Sequence, residues 1–234
     1  MSTKNKLAKF AELMTYPHVF ENFDYHTHEL QGENGKTIEL KGKWNDVHFK
    51  NKQPIVLELA CGRGEYSVGL AERYPDRNFI GVDIKGSRIW KGASISLEKG
   101  LPNVAFLRTR IELIEHFFEK DEVSEIWITF PDPFITSGEG KGKPNRRLTA
   151  APFLERYRKI LAPNGIVNLK TDDDTLYAFT VETVLADERC TMLYHENDIY
   201  SKPLYLDVLE LKTRYEGMHL EKNKKIKFVQ FKIN

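Results

Sequence analysis

The sequence predicts an α/β protein: a doubly wound, mostly parallel seven-stranded sheet with helices on both faces and an antiparallel pair at its C-terminal end. Three observations carry this expectation. From Pro54 onward, short apolar runs alternate with helix-like periodic stretches, the pattern of repeated βα units. The runs are nearly continuous in β-branched and large apolar residues, as strands buried on both faces are. The alternation breaks after residue 186, where strand-like runs at 191–194 and 225–232 follow with no crossover helix between them.

The elements follow in order. Residues 1–53 read as an N-terminal extension packed on the edge of the domain. Within it Leu7, Phe10, Leu13 and Met14 suggest a short amphipathic helix whose other face carries Lys4, Lys6 and Lys9. A partly ordered arm with solvated lysines is the competing reading, and 37–40 is strand-like. Residues 54–234 form the main domain. Strand 55–61 ends in Gly62-Arg-Gly64 and a helix to residue 73 follows. Strand 78–83 precedes a helix at 87–98, and strand 104–107 precedes an apolar-periodic stretch at 111–118. Strand 126–130 stops at a Pro131-Asp-Pro133 clamp that cannot continue the ladder. A helix at 151–161 closes in Ala-Pro-Asn-Gly165, a stop signal. Strand 165–170 ends at Thr171-Asp172, and a helix at 174–186 completes the alternation.

Composition narrows the class. Hydrophobic residues are 41% and charged residues 29% of the 234, which suits a packed enzyme and not a disordered chain. No apolar run reaches membrane-spanning length and no signal-peptide core is present, so a cytoplasmic location is expected. Cys61 and Cys190 lie far apart without metal-type spacing, which predicts free thiols and no metal site. A net charge of +1 gives no bulk reason for nucleic acid, so an RNA partner requires clustered cations.

The chemistry is read at the strand ends. Gly62 and Gly64 let the backbone approach a ligand at a helix N-terminus. The third glycine of a dinucleotide fingerprint is missing, since Ser67 stands there. Glu58, a carboxylate inside an apolar strand, needs a cationic or hydrogen-bonding partner. It suits an ammonium and a sulfonium, as in S-adenosyl-L-methionine, or it caps the glycine loop. Asp83 is spaced to accept ribose hydroxyls or to cap a helix. Asp132 and Asp172 end strands expected to be adjacent and therefore share one crevice. Asp172 and the acid of Thr213-Arg214-Tyr215-Glu216 offer acceptors to the N–H edge of guanine. Acids at 172–174 also suit a helix N-terminus.

Leu57-Glu-Leu-Ala-Cys-Gly-Arg-Gly64, Phe79-Ile-Gly-Val-Asp83, Phe130-Pro-Asp-Pro133, Arg146-Arg147-Leu148, Lys170-Thr-Asp172 and Thr213-Arg-Tyr-Glu216 together resemble the bacterial tRNA (guanine-N7)-methyltransferases. The likeness runs from about residue 55 to 217. It implies methyl transfer from S-adenosyl-L-methionine to N7 of guanine 46 in the tRNA variable loop, with 54–234 as the methyltransferase domain. Carried over by position, Glu58, Gly62 and Gly64 hold the methionine end of the cofactor and Asp83 the ribose. Arg110 and Ile111 face the adenine. Asp132 is the catalytic residue, and Asp172, Thr213, Arg214, Tyr215 and Glu216 join it around the base. Thr136, Arg146 and Arg147 meet the tRNA, along with Lys141 and Lys143.

Three departures stand out. Phe134 replaces a tryptophan, Thr136 stands near a lysine position, and Arg110 replaces an aspartate that would accept from the adenine amino group. The Gly-rich loop after Phe134 is expected to order when tRNA arrives. Two other readings share the fold: a nicotinamide oxidoreductase, and an RNA-binding protein that has lost catalysis. Monomer and homodimer are both compatible with the sequence.

Overall fold

The computed structural model describes residues 5–135 and 142–234. Thr136 and Lys141, and with them most of the expected tRNA-ordered loop, lie outside the described residues. Five parallel strands form the centre of the sheet: β4 (Ile55–Leu59), β5 (Asn78–Asp83), β6 (Val104–Arg108), β7 (Val123–Thr129) and β8 (Leu161–Thr171). β9 (Cys190–Glu196) and β10 (Lys227–Ile233) add the expected antiparallel pair, with β10 between β8 and β9.

The sheet is larger than seven strands. β1 (Val19–Glu21), β2 (Leu30–Gln31) and β3 (Thr37–Ile38) extend it to ten, in the order β3-β2-β1-β6-β5-β4-β7-β8-β10-β9. β1 lies parallel to β6, with Val19 opposite Phe106. Strands of two or three residues carry no readable periodicity. Long-range pairing holds them, helped by Trp44, which is fully buried and donates its indole N–H to the Phe117 carbonyl at 2.8 Å.

Side-chain alternation along the strands divides the core in two. Ile55, Leu57 and Leu59 of β4 and Ala105 and Leu107 of β6 pack with α4 (Ala151–Arg158) and α5 (Asp174–Ala186). Val56 of β4 and Phe106 of β6 point the other way, toward α1 (Lys6–Leu13), α2 (Glu65–Arg73) and α3 (Gly86–Glu98). Glu58 shares the parity of Val56 and so points at α2. The 111–118 stretch is 3₁₀ turns over Ile111–His116 rather than a helix. The Ala-Pro-Asn-Gly165 turn is a bulge within β8, between the pairs Val123–Leu161 and Glu125–Ile166, with Asn164 at φ +61°.

Candidate active site

At the carboxyl edge of the sheet, β4 and β7 end in non-glycine residues with left-handed backbone, Ala60 (φ +58°) and Phe130 (φ +48°). Such a conformation costs about 1–3 kcal/mol each and concentrates at functional sites. Both turns lead the chain away from the sheet and open a crevice between neighbouring strands. Two cavities of about 280 and 290 Å³ occupy it and share Ala60, Pro131 and Asp132. Asp132 therefore stands where they meet. It is exposed, and its Oδ1 accepts the Phe134 N–H at 2.8 Å. That bond fixes the carboxylate between the two prolines.

The first cavity is lined by Asp83, Ile84, Arg110, Ile111, Phe134 and Arg146, among others. Asp83 is mostly buried, with its oxygens on the Gly62 N–H (2.9 Å) and the Lys85 N–H (2.7 Å). Burial pushes its carboxyl up, against those two bonds and the nearby Arg88 and Lys85. Each oxygen retains a lone pair for a hydroxyl donor. Arg110 lays its guanidinium on the ring of Tyr25, 3.8 Å from the centroid. Glu112, which the sequence did not single out, puts a carboxylate in the same wall two residues further on.

The second cavity contains Gly62, Glu65, Asp172, Thr213, Tyr215 and His219 beside the shared residues. The adjacent ends of β7 and β8 bring Asp132 and Asp172 together as expected. Asp172 is already engaged: Lys224 Nζ donates to its Oδ2 at 2.5 Å, and His219 Nδ1 lies 3.3 Å away. Thr213 caps α6 (Arg214–Leu220) by accepting the Glu216 N–H, and the Arg214 N–H donates to Glu65 at 2.8 Å. Tyr215 is 49% exposed at the mouth. Gly64, at φ +67°, lies so close to Phe106 that an added Cβ would sit 2.4 Å from the ring. The glycine turn thus packs on the sheet and leaves the space above it open.

Three expected contacts are not where the sequence put them. Glu58 lines neither cavity. It is 3% exposed and accepts three bonds from the chain: the Ser67 N–H at 2.8 Å, the Ser67 hydroxyl at 2.5 Å and the Thr129 hydroxyl at 2.7 Å. It ties the start of α2 to the end of β7, with burial pushing its carboxyl up to about 7. Glu216 is fully buried, 2.8 Å from Lys170 Nζ and accepting the Tyr200 hydroxyl at 2.6 Å. Lys170 also donates to the Leu209 and Leu211 carbonyls, which anchors the segment leading to Thr213. Arg147 is buried, donates Nε–H to the Pro133 carbonyl at 2.8 Å and covers the Phe179 ring. It braces the Pro-Asp-Pro clamp, whereas exposed Arg146 rests over Phe134 at the cavity rim. Among the described residues no cluster of His, Cys, Asp and Glu could hold a metal ion, and no helix is long and apolar enough to cross a membrane.

The family model described as "Putative methyltransferase" matches residues 52–229. A tRNA (guanine-N(7)-)-methyltransferase of Christiangramia forsetii is 48% identical over 234 residues, covering all of both chains. The protein of that name from Bacteroides thetaiotaomicron is 47% identical over 98% of this chain and 86% of its own. Among solved structures, the 16S rRNA methyltransferase KamB aligns with 85% of this chain and 96% of its own at a TM-score of 0.59 and 14% identity. An aminoglycoside resistance methyltransferase aligns with 88% and 98% at 0.56 and 14%. At such identities the structural likeness speaks for the fold alone. The full-length relatives remove the oxidoreductase reading, and the chain is a methyltransferase that belongs to the tRNA (guanine-N(7)-)-methyltransferase family.

Proposed function

We propose that the protein transfers a methyl group from S-adenosyl-L-methionine to N7 of guanine 46 in the variable loop of cytoplasmic tRNA. The observation that carries this reading is Asp132, fixed where two cavities meet, with one oxygen bound to backbone and the carboxylate exposed. A cofactor-side cavity and a base-side cavity that touch at a single carboxylate suit a group moving from one to the other.

The lining supports the division. Asp83 offers lone pairs to a ribose, Ile84, Ile111 and Phe153 offer apolar surface to a purine, and Glu112 offers an acceptor to its amino group. Glu65, which shares the second cavity with Gly62, supplies negative charge for the cofactor's ammonium. The cofactor, when bound, supplies an electrophilic methyl on a positively charged sulfur. N7 of guanine carries an in-plane lone pair and no proton, so no residue has to act as a base. Alignment is the main requirement, and holding two reactants in line supplies on the order of 7–11 kcal/mol of a barrier. Asp132 acts electrostatically on the positive charge that passes to the purine. In this reading Asp172 and the Thr213 hydroxyl, both in the lining of the second cavity, meet the base edge. Lys170 and Glu216 position them from below by anchoring the segment that leads into α6. Residues 54–234 form the catalytic domain in this reading, and residues 1–53 an extension on its edge.

Incubating the protein with unmodified tRNA and cofactor, then treating with borohydride and aniline, tests the proposal. Strand scission at guanine 46 is the expected result. Methyl incorporation without scission there would overturn the assignment to that atom and position.

A further inference from the structure

Next to the second cavity lies a third, of about 340 Å³, lined by Lys9, Arg63, Arg88, Lys91, Trp90 and Tyr215, with Gly62 and Ser87. It shares Gly62, Arg63, Arg88 and Tyr215 with the second cavity and nothing with the first, whose rim carries Arg146. The base-side cavity therefore lies between Arg146 and this groove. Four cations from three parts of the chain meet here: α1, the glycine turn and α3. Among the described residues no acid is in the lining.

That concentration is not bulk charge, because the whole chain carries only +1. Several cations elsewhere are matched to acids, as in Lys43–Glu39, Lys52–Asp46, Lys159–Glu115 and Arg158–Asp187. Among the described residues, none of the four groove cations lies within ion-pair distance of a carboxylate. Glu12, the acid nearest by contact, accepts the Trp90 indole N–H at 3.0 Å, and Lys9 Nζ sits 4.8 Å above the Trp90 ring. The first turn of α3 has neither a side-chain cap nor an acid, so its end of the helix dipole adds to the positive field. Half-exposed Tyr215 stands on the wall between groove and cleft and offers a ring face to an unstacked base.

We propose that this groove is a second RNA-contact surface, which binds the sugar–phosphate strand flanking the target guanine at the end of the cleft away from Arg146. The proposal rests on the tRNA methyltransferase reading above. A base held in a crevice must be drawn out of its stack, and gripping the backbone on both sides of it fixes where it enters. Lys9 gives the amphipathic helix of the N-terminal segment a role in substrate binding.

The test is a salt titration of tRNA binding by the full chain, comparing Lys9→Gln/Lys91→Gln with Lys43→Gln/Lys52→Gln. Both variants lose two positive charges, but the second pair is already matched to acids. For the groove variant the Kd for tRNA rises about tenfold at physiological salt. The slope of log Kd against log salt falls by about one to two, roughly one per lost phosphate contact. Its affinity for S-adenosyl-L-methionine stays unchanged, and the control stays within about twofold of the wild type. Lys91→Gln alone, at an exposed position, shifts Kd in the same direction by about threefold. Groove and control variants with equal Kd and slope would overturn the proposal while leaving the methyltransferase reading intact. Failure of the wild-type chain to bind or methylate tRNA would instead defeat the underlying reading.

Discussion

Glu58 and Asp132 belong to neighbouring strands and both stand at the carboxyl edge of the sheet, yet their surroundings are opposite. Glu58 is sealed beneath the glycine turn, with three hydrogen bonds from Ser67 and Thr129 and a carboxyl pushed up to about 7 by burial. Asp132 is exposed and accepts one bond from backbone. The same division separates buried Glu216 from half-buried Asp172, and buried Arg147 from exposed Arg146. Glu58, Glu216 and Arg147 are spent on holding the chain, whereas Asp132 and Arg146 face the cleft free of such work and Asp172, in the cleft lining, shares its carboxylate with Lys224. A family motif therefore mixes residues that shape the cleft with residues that use it, and only their partners tell them apart.

Each pair can be broken from either side. The largest effect is expected at Lys170→Met, which leaves Glu216 buried without its cation. Losing one partner of a buried ion pair costs about 3–5 kcal/mol, read as a lowered denaturation midpoint. Stability equal to the wild type would show that Glu216 does not depend on Lys170. Asp132→Ala should leave stability and cofactor affinity nearly unchanged and reduce turnover by about 10²–10³. Wild-type turnover in this variant would remove Asp132 from the chemistry.

Glu58 sharpens the comparison through pH. Its folded-state carboxyl titrates near 7 against an ordinary value of 4.5, so its contribution is fully present below about pH 4.5 and is lost as pH rises through 7. The loss is about 3 kcal/mol across that window. Glu58→Gln, with the Thr129 hydroxyl reversed to accept from the amide, flattens this part of the stability–pH curve; an unchanged curve would mean that the buried acid does not titrate there. The smallest effects separate the two arginines. Arg147→Gln costs about 1–2 kcal/mol of stability, through the lost bond to Pro133 and its packing on Phe179. Arg146→Gln leaves stability alone and lowers the salt slope of tRNA binding by about one. If the two substitutions behave alike, the distinction drawn from burial fails.

The central sheet was legible because its strands are nearly continuous apolar runs set between helix-like stretches, and because Pro131 and Pro133 mark where β7 must stop. Asp132 and Asp172 could be placed in one crevice from strand adjacency alone. Glu58, Glu216 and Arg147 were recognisable as unusual residues, but their partners Thr129, Lys170 and Pro133 are distant in sequence or meet them only once the chain has turned. The strained turns at Ala60 and Phe130 had no glycine to announce them. Glu112 and His219 had no motif to mark them, and β1 and β2 were too short for any period, whereas β3 lies within the strand-like 37–40.

The N-terminal segment touches the cleft at two ends, with Lys9 in the cationic groove and Tyr25 under Arg110 at the cofactor-side cavity. Fifteen residues, among them one strand of the sheet, separate these contacts. Ligands held at both places would therefore contact the same short stretch. Thermodynamic linkage makes the exchange symmetrical: whatever factor the ordered segment adds to RNA affinity when the cofactor is present is returned as the same factor in cofactor affinity when RNA is present. In the reading proposed above, a stretch that looks like packing at the sheet edge joins the two binding places through a single run of chain.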